Sequence, residues 1–320
     1  MPVIDLPLKE LREYRGSSPC PEDLNEYWDR SLEAMRAIEP ALSWSDSSFS
    51  CPYAKCQSLY FTGVGDSRIH CRVATPDPLP AEPGPALILF HGYSGASPDW
   101  TVMLPYVAAG FTVVAMDCRG QGGLSEDLVP TTGNTLHGHI IKGLDDSLDK
   151  LYYRNVFLDT AQVAGIVSDF EWVDENRIGV NGGSQGGALS LACASLATHV
   201  RKVVSHYPFL SDFKRVWDMD LDEKAYVGLR DYFRRFDPLH EREAEIFMKL
   251  GYIDVSNLAP RIKGEVLMAI TLMDDICPPS TQFAAYNAIQ SEKSCLLYPD
   301  FGHEHLPMAN DKAFAFLMNL

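Results

Sequence analysis

Apolar and polar positions along this chain change rhythm twice. Near the start, Leu24, Trp28, Leu32 and Met35 recur at helical spacing, and the spacing predicts a helix over 21–39. Pro21 suits its first turn, Glu22 and Asp23 suit its dipole, and Pro40 ends it. Short alternating runs at 57–61 and 69–75 predict an antiparallel opening to a sheet. After a proline-rich connector over 76–85 the alternation stops. Continuous apolar runs take over at 86–90 and 112–116, as in parallel strands buried on both faces. Further runs at 178–182, 202–206, 265–271 and 294–298 are separated by helix-like stretches. Strands alternating with helices predict an α/β fold with a doubly wound, mostly parallel sheet and helices on both faces. In such sheets ligands bind at the carboxyl ends of the strands.

The second break lies between Phe209 and Ile262, where no strand signal occurs. Charge and aromatics (Phe213, Trp217, Tyr226, Tyr232, Phe233 and Phe236) dominate a stretch too long for a plain connection. It reads as a helical insertion over about 210–260, a lid or an interface laid over the sheet end. The whole chain, 1–320, reads as a single domain with an N-terminal helical extension over 1–45.

Composition narrows the partners. Acidic residues outnumber basic ones 43 to 27, a net charge of −16, which disfavours nucleic acid and anionic membrane surfaces. The 8 cysteines form no C-x-x-C pair, and most stand in apolar surroundings as small hydrophobes. No basic stretch followed by an apolar one opens the chain, and no run of about twenty apolar residues occurs. Reduced thiols and a cytoplasmic location are the expectation.

Chemistry concentrates at Gly182-Gly183-Ser184-Gln185-Gly186-Gly187, between the run ending at 182 and a helix-like segment over 188–197. A serine flanked by glycines between strand and helix is the G-x-S-x-G nucleophile elbow in the context it needs. The bland alternative is a glycine-rich turn with a serine N-cap. A nucleophilic serine needs a base, and the base needs an orienting carboxylate. Chain order on this architecture is serine, acid, histidine. The acid candidates are Asp274, first after the run at 265–271, and Asp275, which could instead open the following helix region. Among histidines, His303 follows a strand and Gly302, whereas His305 falls to the next helix. His206 ends a strand and precedes the acids, which reads as a structural contact. Two amides must face the oxyanion. Gln185, next to the serine, supplies one, and Tyr93 in the loop after 86–90 supplies the other. His91 is then a structural hydrogen-bonder, and the Tyr93 ring could wall the site. Arg119, in the loop after 112–116, could pin that loop by ion pairs.

With these residues on the page, the chain resembles carbohydrate esterase family seven, the acetyl xylan esterases and cephalosporin C deacetylases. The resemblance rests on Arg119-Gly120-Gln121-Gly122, on the elbow with glutamine after the serine, and on His303-Glu304. It extends over Asp117 to Ser125 and over Leu272 to Asn287. It implies an α/β-hydrolase with Ser184, Asp274 and His303 as triad and the Tyr93 and Gln185 amides as oxyanion hole. It also implies Phe209 and Ile276 lining a small acyl pocket with Tyr93, and Arg119 and Gln121 in structural roles beside the site. Further implications are a homohexamer of paired trimers, small acetylated carbohydrates or cephalosporins as substrates, and no metal or organic cofactor. Another hydrolase activity on the same fold, such as a peptidase, thioesterase or longer-chain esterase, is the rival reading.

Overall fold

The apolar runs become the middle of one sheet in the computed structural model, which describes residues 4–133, 138–222 and 224–320. In chain order the strands are β1 (Ser43–Asp46), β2 (Ala54–Thr62), β3 (Arg68–Pro76), β4 (Gly84–Phe90), β5 (Thr112–Met116), β6 (Val173–Gly183), β7 (Lys202–His206), β8 (Glu265–Thr271) and β9 (Lys293–Tyr298). Their order across the sheet is β1-β2-β3-β5-β4-β6-β7-β8-β9. β1, β2 and β3 run antiparallel, β3 meets β5 antiparallel, and every pair from β5 through β4 to β9 is parallel. The alternating runs are therefore the antiparallel edge, and the continuous runs are the parallel centre.

Strand order reverses at β4, which has β5 on one side and β6 on the other. Loops leaving the carboxyl ends of β4 and β6 diverge there and open a crevice. Successive side chains of β4 feed opposite faces: Ala86, Ile88 and Phe90 join one core cluster, and Leu87 and Leu89 join another. The helices are α1 (Leu8–Leu11), α2 (Leu24–Arg36), α3 (Trp100–Ala108), α4 (Tyr152–Ser168), α5 (Gln185–Leu196), α6 (Phe213–Asp218), α7 (Val227–Phe236), α8 (Glu243–Gly251), α9 (Val255–Leu258), α10 (Pro279–Ala288) and α11 (Ala309–Leu317). The first face is covered by α2, α4, α5 and α10, and the second by α3 and α11. Every residue of α5 is buried, so its small and apolar side chains face protein all round.

The N-terminal extension is shorter in helix than its spacing predicts. α2 begins at Leu24, with residues 21–23 forming the turn into it, and β1 already claims Ser43–Asp46 as an edge strand. The buried face of α2 carries the predicted Leu24, Trp28, Leu32 and Met35 together with Tyr27. Trp28 is fully buried, donates from Nε1 to the Tyr252 carbonyl at 2.9 Å, and stacks on Phe157 at 6.0 Å. The stretch 210–260 is helical, α6 to α9, and Phe213, Tyr226, Leu229, Phe233 and Leu250 are buried in the main core. Among the described residues five cysteines are buried, none is in a disulfide, and no helix is long and apolar enough to cross a membrane.

His206 ends β7 and is nearly buried, which pushes its imidazole down to about 4. An unfolded histidine takes up its proton near 6.5. Stability from keeping His206 neutral is therefore complete above that pH and is lost as pH falls towards 4, because the unfolded chain protonates first. Two outcomes are expected in urea unfolding. Trp28→Ala costs about 3–5 kcal/mol, whereas a loss below about 1 kcal/mol would mean that the extension is not part of the core. Between pH 7 and 4.5, His206→Gln loses about 2 kcal/mol less than the parent protein; an equal loss would refute the neutral, buried histidine.

Candidate active site

The site is built on a tight backbone crossing. Ser184 follows β6 and precedes α5, with φ 56° and ψ −118°. A Cβ on Gly182 would sit 2.4 Å from the Gly186 carbonyl, and one on Gly186 would sit 2.1 Å from the Phe90 carbonyl oxygen. Only glycine lets β4, β6 and α5 approach this closely. The Ser184 N–H donates to the His206 carbonyl at 3.0 Å, and the Ser184 carbonyl accepts from the Phe209 N–H at 3.1 Å. Neighbouring strand and loop thus hold the serine backbone from both sides. Its hydroxyl makes no cap to the helix. Instead Ser184 Oγ lies 2.9 Å from His303 Nε2, which separates this geometry from a serine N-cap.

His303 Nδ1 lies 2.8 Å from Asp274 Oδ2. Asp274 is fully buried, and its other oxygen accepts the N–H groups of Ile276 at 2.9 Å and Cys277 at 2.8 Å. A turn after β8 thereby wraps the carboxylate with donors, as a buried charge requires. Asp275 points away, exposed, and pairs with Lys224 at 3.0 Å. His305 sits in the loop before α11 rather than on that helix, which begins only at Ala309. The chain does not turn helical straight after His303-Glu304; Glu304 instead accepts the Gly302 N–H at 2.9 Å and shapes the loop that carries the histidine. An imidazole bonded on one side to a hydroxyl and on the other to a buried carboxylate can withdraw the hydroxyl proton and keep the resulting charge stabilised.

The other wall is the loop after β4. The backbone N–H groups of Tyr93 and Gln185 find no acceptor among the described residues. The Tyr93 hydroxyl accepts the His139 N–H at 3.0 Å, and its ring meets Phe209 edge-on at 5.6 Å. Phe209 is fully buried, whereas Ile276 is partly exposed. His91 keeps to a backbone role: Nε2 accepts the Cys118 N–H at 2.9 Å, Nδ1 donates to the Gly92 carbonyl at 2.7 Å, and burial pushes its pKa down.

Two glutamines tie these walls together. Gln121 Oε1 accepts the Ser94 N–H at 2.8 Å, and its Nε2 donates to Gln185 Oε1 at 2.8 Å and to the Tyr152 hydroxyl at 2.9 Å. Gln185 Oε1 also accepts the Tyr153 hydroxyl at 2.9 Å. The β4 loop, the β5 loop, the elbow and α4 therefore share one hydrogen-bonded amide pair. Arg119 anchors the β5 loop from below, with Nε and Nη2 each 2.7 Å from an oxygen of Asp159 and both side chains fully buried. Its main-chain carbonyl accepts the Tyr152 hydroxyl at 2.6 Å.

Sequence reasoning passed over several of these supports. Gln282 donates to Thr271 Oγ1 at 3.0 Å and to the Cys277 carbonyl at 2.7 Å, bracing the acid turn from inside α10. The Tyr207 ring packs on His303 at 4.7 Å between centroids. Asp159, Tyr152 and Tyr153 lie in a helix whose pattern shows only burial. Only Gln282 falls within a stretch that carried a signal, the 272–287 segment of the family resemblance.

Residues 1–320 match the acetyl xylan esterase (AXE1) family over the full chain. Acetyl xylan esterase 1 from Thermoanaerobacterium sp. JW/SL YS485 is 59% identical and superposes with a TM-score of 0.97, with 99% of each chain covered. The acetyl xylan esterase from Paenibacillus sp. R4 is 33% identical with a TM-score of 0.93, over 98% of this chain and 99% of the other. Acetyl esterase Axe7A of Xylanibacter ruminicola is 27% identical over 294 residues, 87% of this chain, and the chain spans 62% of that relative's length. Sheet order, elbow and full-length similarity converge on one assignment: the chain belongs to the acetyl xylan esterase family, on the α/β-hydrolase fold.

Proposed function

We propose that the protein is a serine esterase that removes O-acetyl groups from acetylated xylo-oligosaccharides and similar small substrates, cephalosporin C among them. The observation that carries this reading is the continuous hydrogen-bonded chain from Ser184 Oγ through His303 to buried Asp274, at 2.9 and 2.8 Å. Relatives at 59% and 33% identity bear the name acetyl xylan esterase and support the choice of acyl group and carbohydrate.

In this mechanism Ser184 attacks the acetyl carbonyl as His303 Nε2 takes its proton. Asp274 holds the proton on Nδ1 and stabilises the imidazolium. The Tyr93 and Gln185 amides, free of other acceptors among the described residues, receive the oxyanion. His303 then protonates the departing sugar oxygen, and water repeats the cycle on the acetyl-enzyme. Tyr93, Phe209 and Ile276 limit the acyl pocket. Phe209 is buried, bonded through its N–H to the serine carbonyl and edge-on to the Tyr93 ring at 5.6 Å, which supports its reading as a fixed wall of that pocket. Arg119 and Gln121 position the loops around the reacting atoms without touching them.

The chain is also proposed to assemble as paired trimers in a reducing, cytoplasmic setting. Exposed Leu124, Leu128, Leu239 and Met308 favour burial between copies, and free buried thiols favour such a compartment. The one-domain reading, with 1–45 and 210–260 as extension and insertion, is supported by the aromatic residues that both segments place in the main core.

Ser184→Ala is expected to lower kcat for p-nitrophenyl acetate about 10⁴-fold or more with the fold unchanged by circular dichroism. The parent rate is expected to fall steeply from acetyl to butyryl to octanoyl esters. Near-normal turnover in the variant would sink the nucleophile, and a flat or rising profile with chain length would sink the acetyl pocket in favour of a longer-chain esterase.

A further inference from the structure

Cys277 has no part in the acyl transfer just described, yet its thiol faces the same carboxylate and imidazole. One carboxylate oxygen of Asp274, the sulfur of Cys277 and one ring nitrogen of His303 all lie within 4.8 Å of one another. Asp274 and Cys277 are fully buried, while the His303 side chain keeps 16% of its surface open to solvent. A tetrahedral ion with sulfur, nitrogen and oxygen ligands spaces its donor atoms by roughly 3.3–3.8 Å. The closest pair here, Asp274 Oδ2 and His303 Nδ1 at 2.8 Å, is somewhat tighter than that, and the 4.8 Å limit is wider. Coordination of one ion would require the Asp274 and His303 donors to part slightly and any wider pair to close by up to about 1.5 Å, with the partly open His303 side left for a water ligand.

We propose that Asp274, Cys277 and His303 form a capture site for a thiophilic divalent cation, Zn²⁺ or Cd²⁺, and that capture switches acyl transfer off. The switching half rests on the reading of His303 as the base. The donor set selects the ion: thiolate with imidazole favours zinc and cadmium, whereas magnesium and calcium demand shells of oxygen. As the sulfur–metal bond forms, the Cys277 thiol proton passes to solvent. His303 offers its Nδ1 lone pair to the ion, so its single ring proton resides on Nε2. That nitrogen then donates towards Ser184 Oγ and no longer accepts the hydroxyl proton. Asp274 exchanges its hydrogen bond to Nδ1 for a bond to the same ion. No electron is transferred, and removing the ion restores the resting proton arrangement.

The test uses the full-length protein and the metal alone. Zn²⁺ is titrated into p-nitrophenyl acetate hydrolysis for the parent and for Cys277→Ala and Cys277→Ser, each rate taken relative to its own metal-free value. Cd²⁺ is then added while the thiolate-to-cadmium charge-transfer absorbance is followed. The expected result is inhibition of the parent by Zn²⁺, reversal by EDTA and no effect of Mg²⁺. Both variants should need roughly tenfold more Zn²⁺, or beyond, for half-inhibition. Cys20 is exposed and Cys51 and Cys295 are partly so, so the diagnostic cadmium signal is the part lost with Cys277. That part should persist in Ser184→Ala, which reads the site without any turnover. Equal zinc sensitivity in parent and variants, or no absorbance lost with Cys277, would overturn the site. A cadmium signal without zinc inhibition would overturn the switch. An active Ser184→Ala would instead overturn the triad and leave the metal site standing.

Discussion

Everything at this site depends on one close backbone crossing, where α5 starts against the ends of β4 and β6. Ser184 is held at φ 56°, a conformation that costs a non-glycine residue on the order of 1–3 kcal/mol and persists only when its surroundings over-determine it. Those surroundings are specific. Gly182 and Gly186 leave no room for a Cβ, the His206 carbonyl receives the serine N–H, and Phe209 donates back to the serine carbonyl. Behind the turn, α5 is buried along its whole length. The strain is thus sustained by the sheet and its central helix together. The turn leaves the serine oxygen as the free end of the crossing, aimed at a histidine rather than folded back as a cap.

The second requirement is that four loops from four strands arrive in register with that oxygen. Three polar clusters accomplish this, each pairing its buried groups within the protein. The Asp274 carboxylate is wrapped by backbone donors and braced through Gln282. The Gln121–Gln185 pair joins the loop after β4 to the elbow. The Arg119–Asp159 pair fixes the loop after β5 with two bonds at 2.7 Å inside the core. Removing one partner of a buried, bidentate pair strands the other charge, which is far costlier than the net worth of the pair. Such clusters trade stability for a single loop geometry, and loop geometry is what acyl transfer needs.

Much of this was legible in the residues because the physics is local. Parallel strands buried on both faces leave apolar runs, and 86–90, 112–116, 202–206 and 265–271 all became strands at those places. Serine, aspartate and histidine each followed a strand, so Ser184, Asp274 and His303 could be named and are found hydrogen-bonded together. Position alone leaves Asp275 open beside Asp274, yet of the two only Asp274 meets the His303 imidazole. What separates them is the pair of amides from Ile276 and Cys277, a contact that no spacing shows. Elements set by tertiary contact were read less well. His305 stays in a loop because Glu304 caps the Gly302 amide, and Ser43–Asp46 becomes an edge strand because β2 offers it a partner. Tyr207, Asp159 and the two tyrosines of α4 carry no pattern other than burial, so their roles emerge only when distant segments meet.

The central claim is that a single strained serine carries the acyl group. It is tested most directly by reacting the native protein with a serine-directed phosphonate and mapping the adduct by peptide mass spectrometry, alongside His303→Ala. The account predicts one adduct per chain, on Ser184, formed quickly in the parent and very slowly once the imidazole is gone. Adduct formation on another residue, or labelling of Ser184 at the same rate without His303, would contradict it.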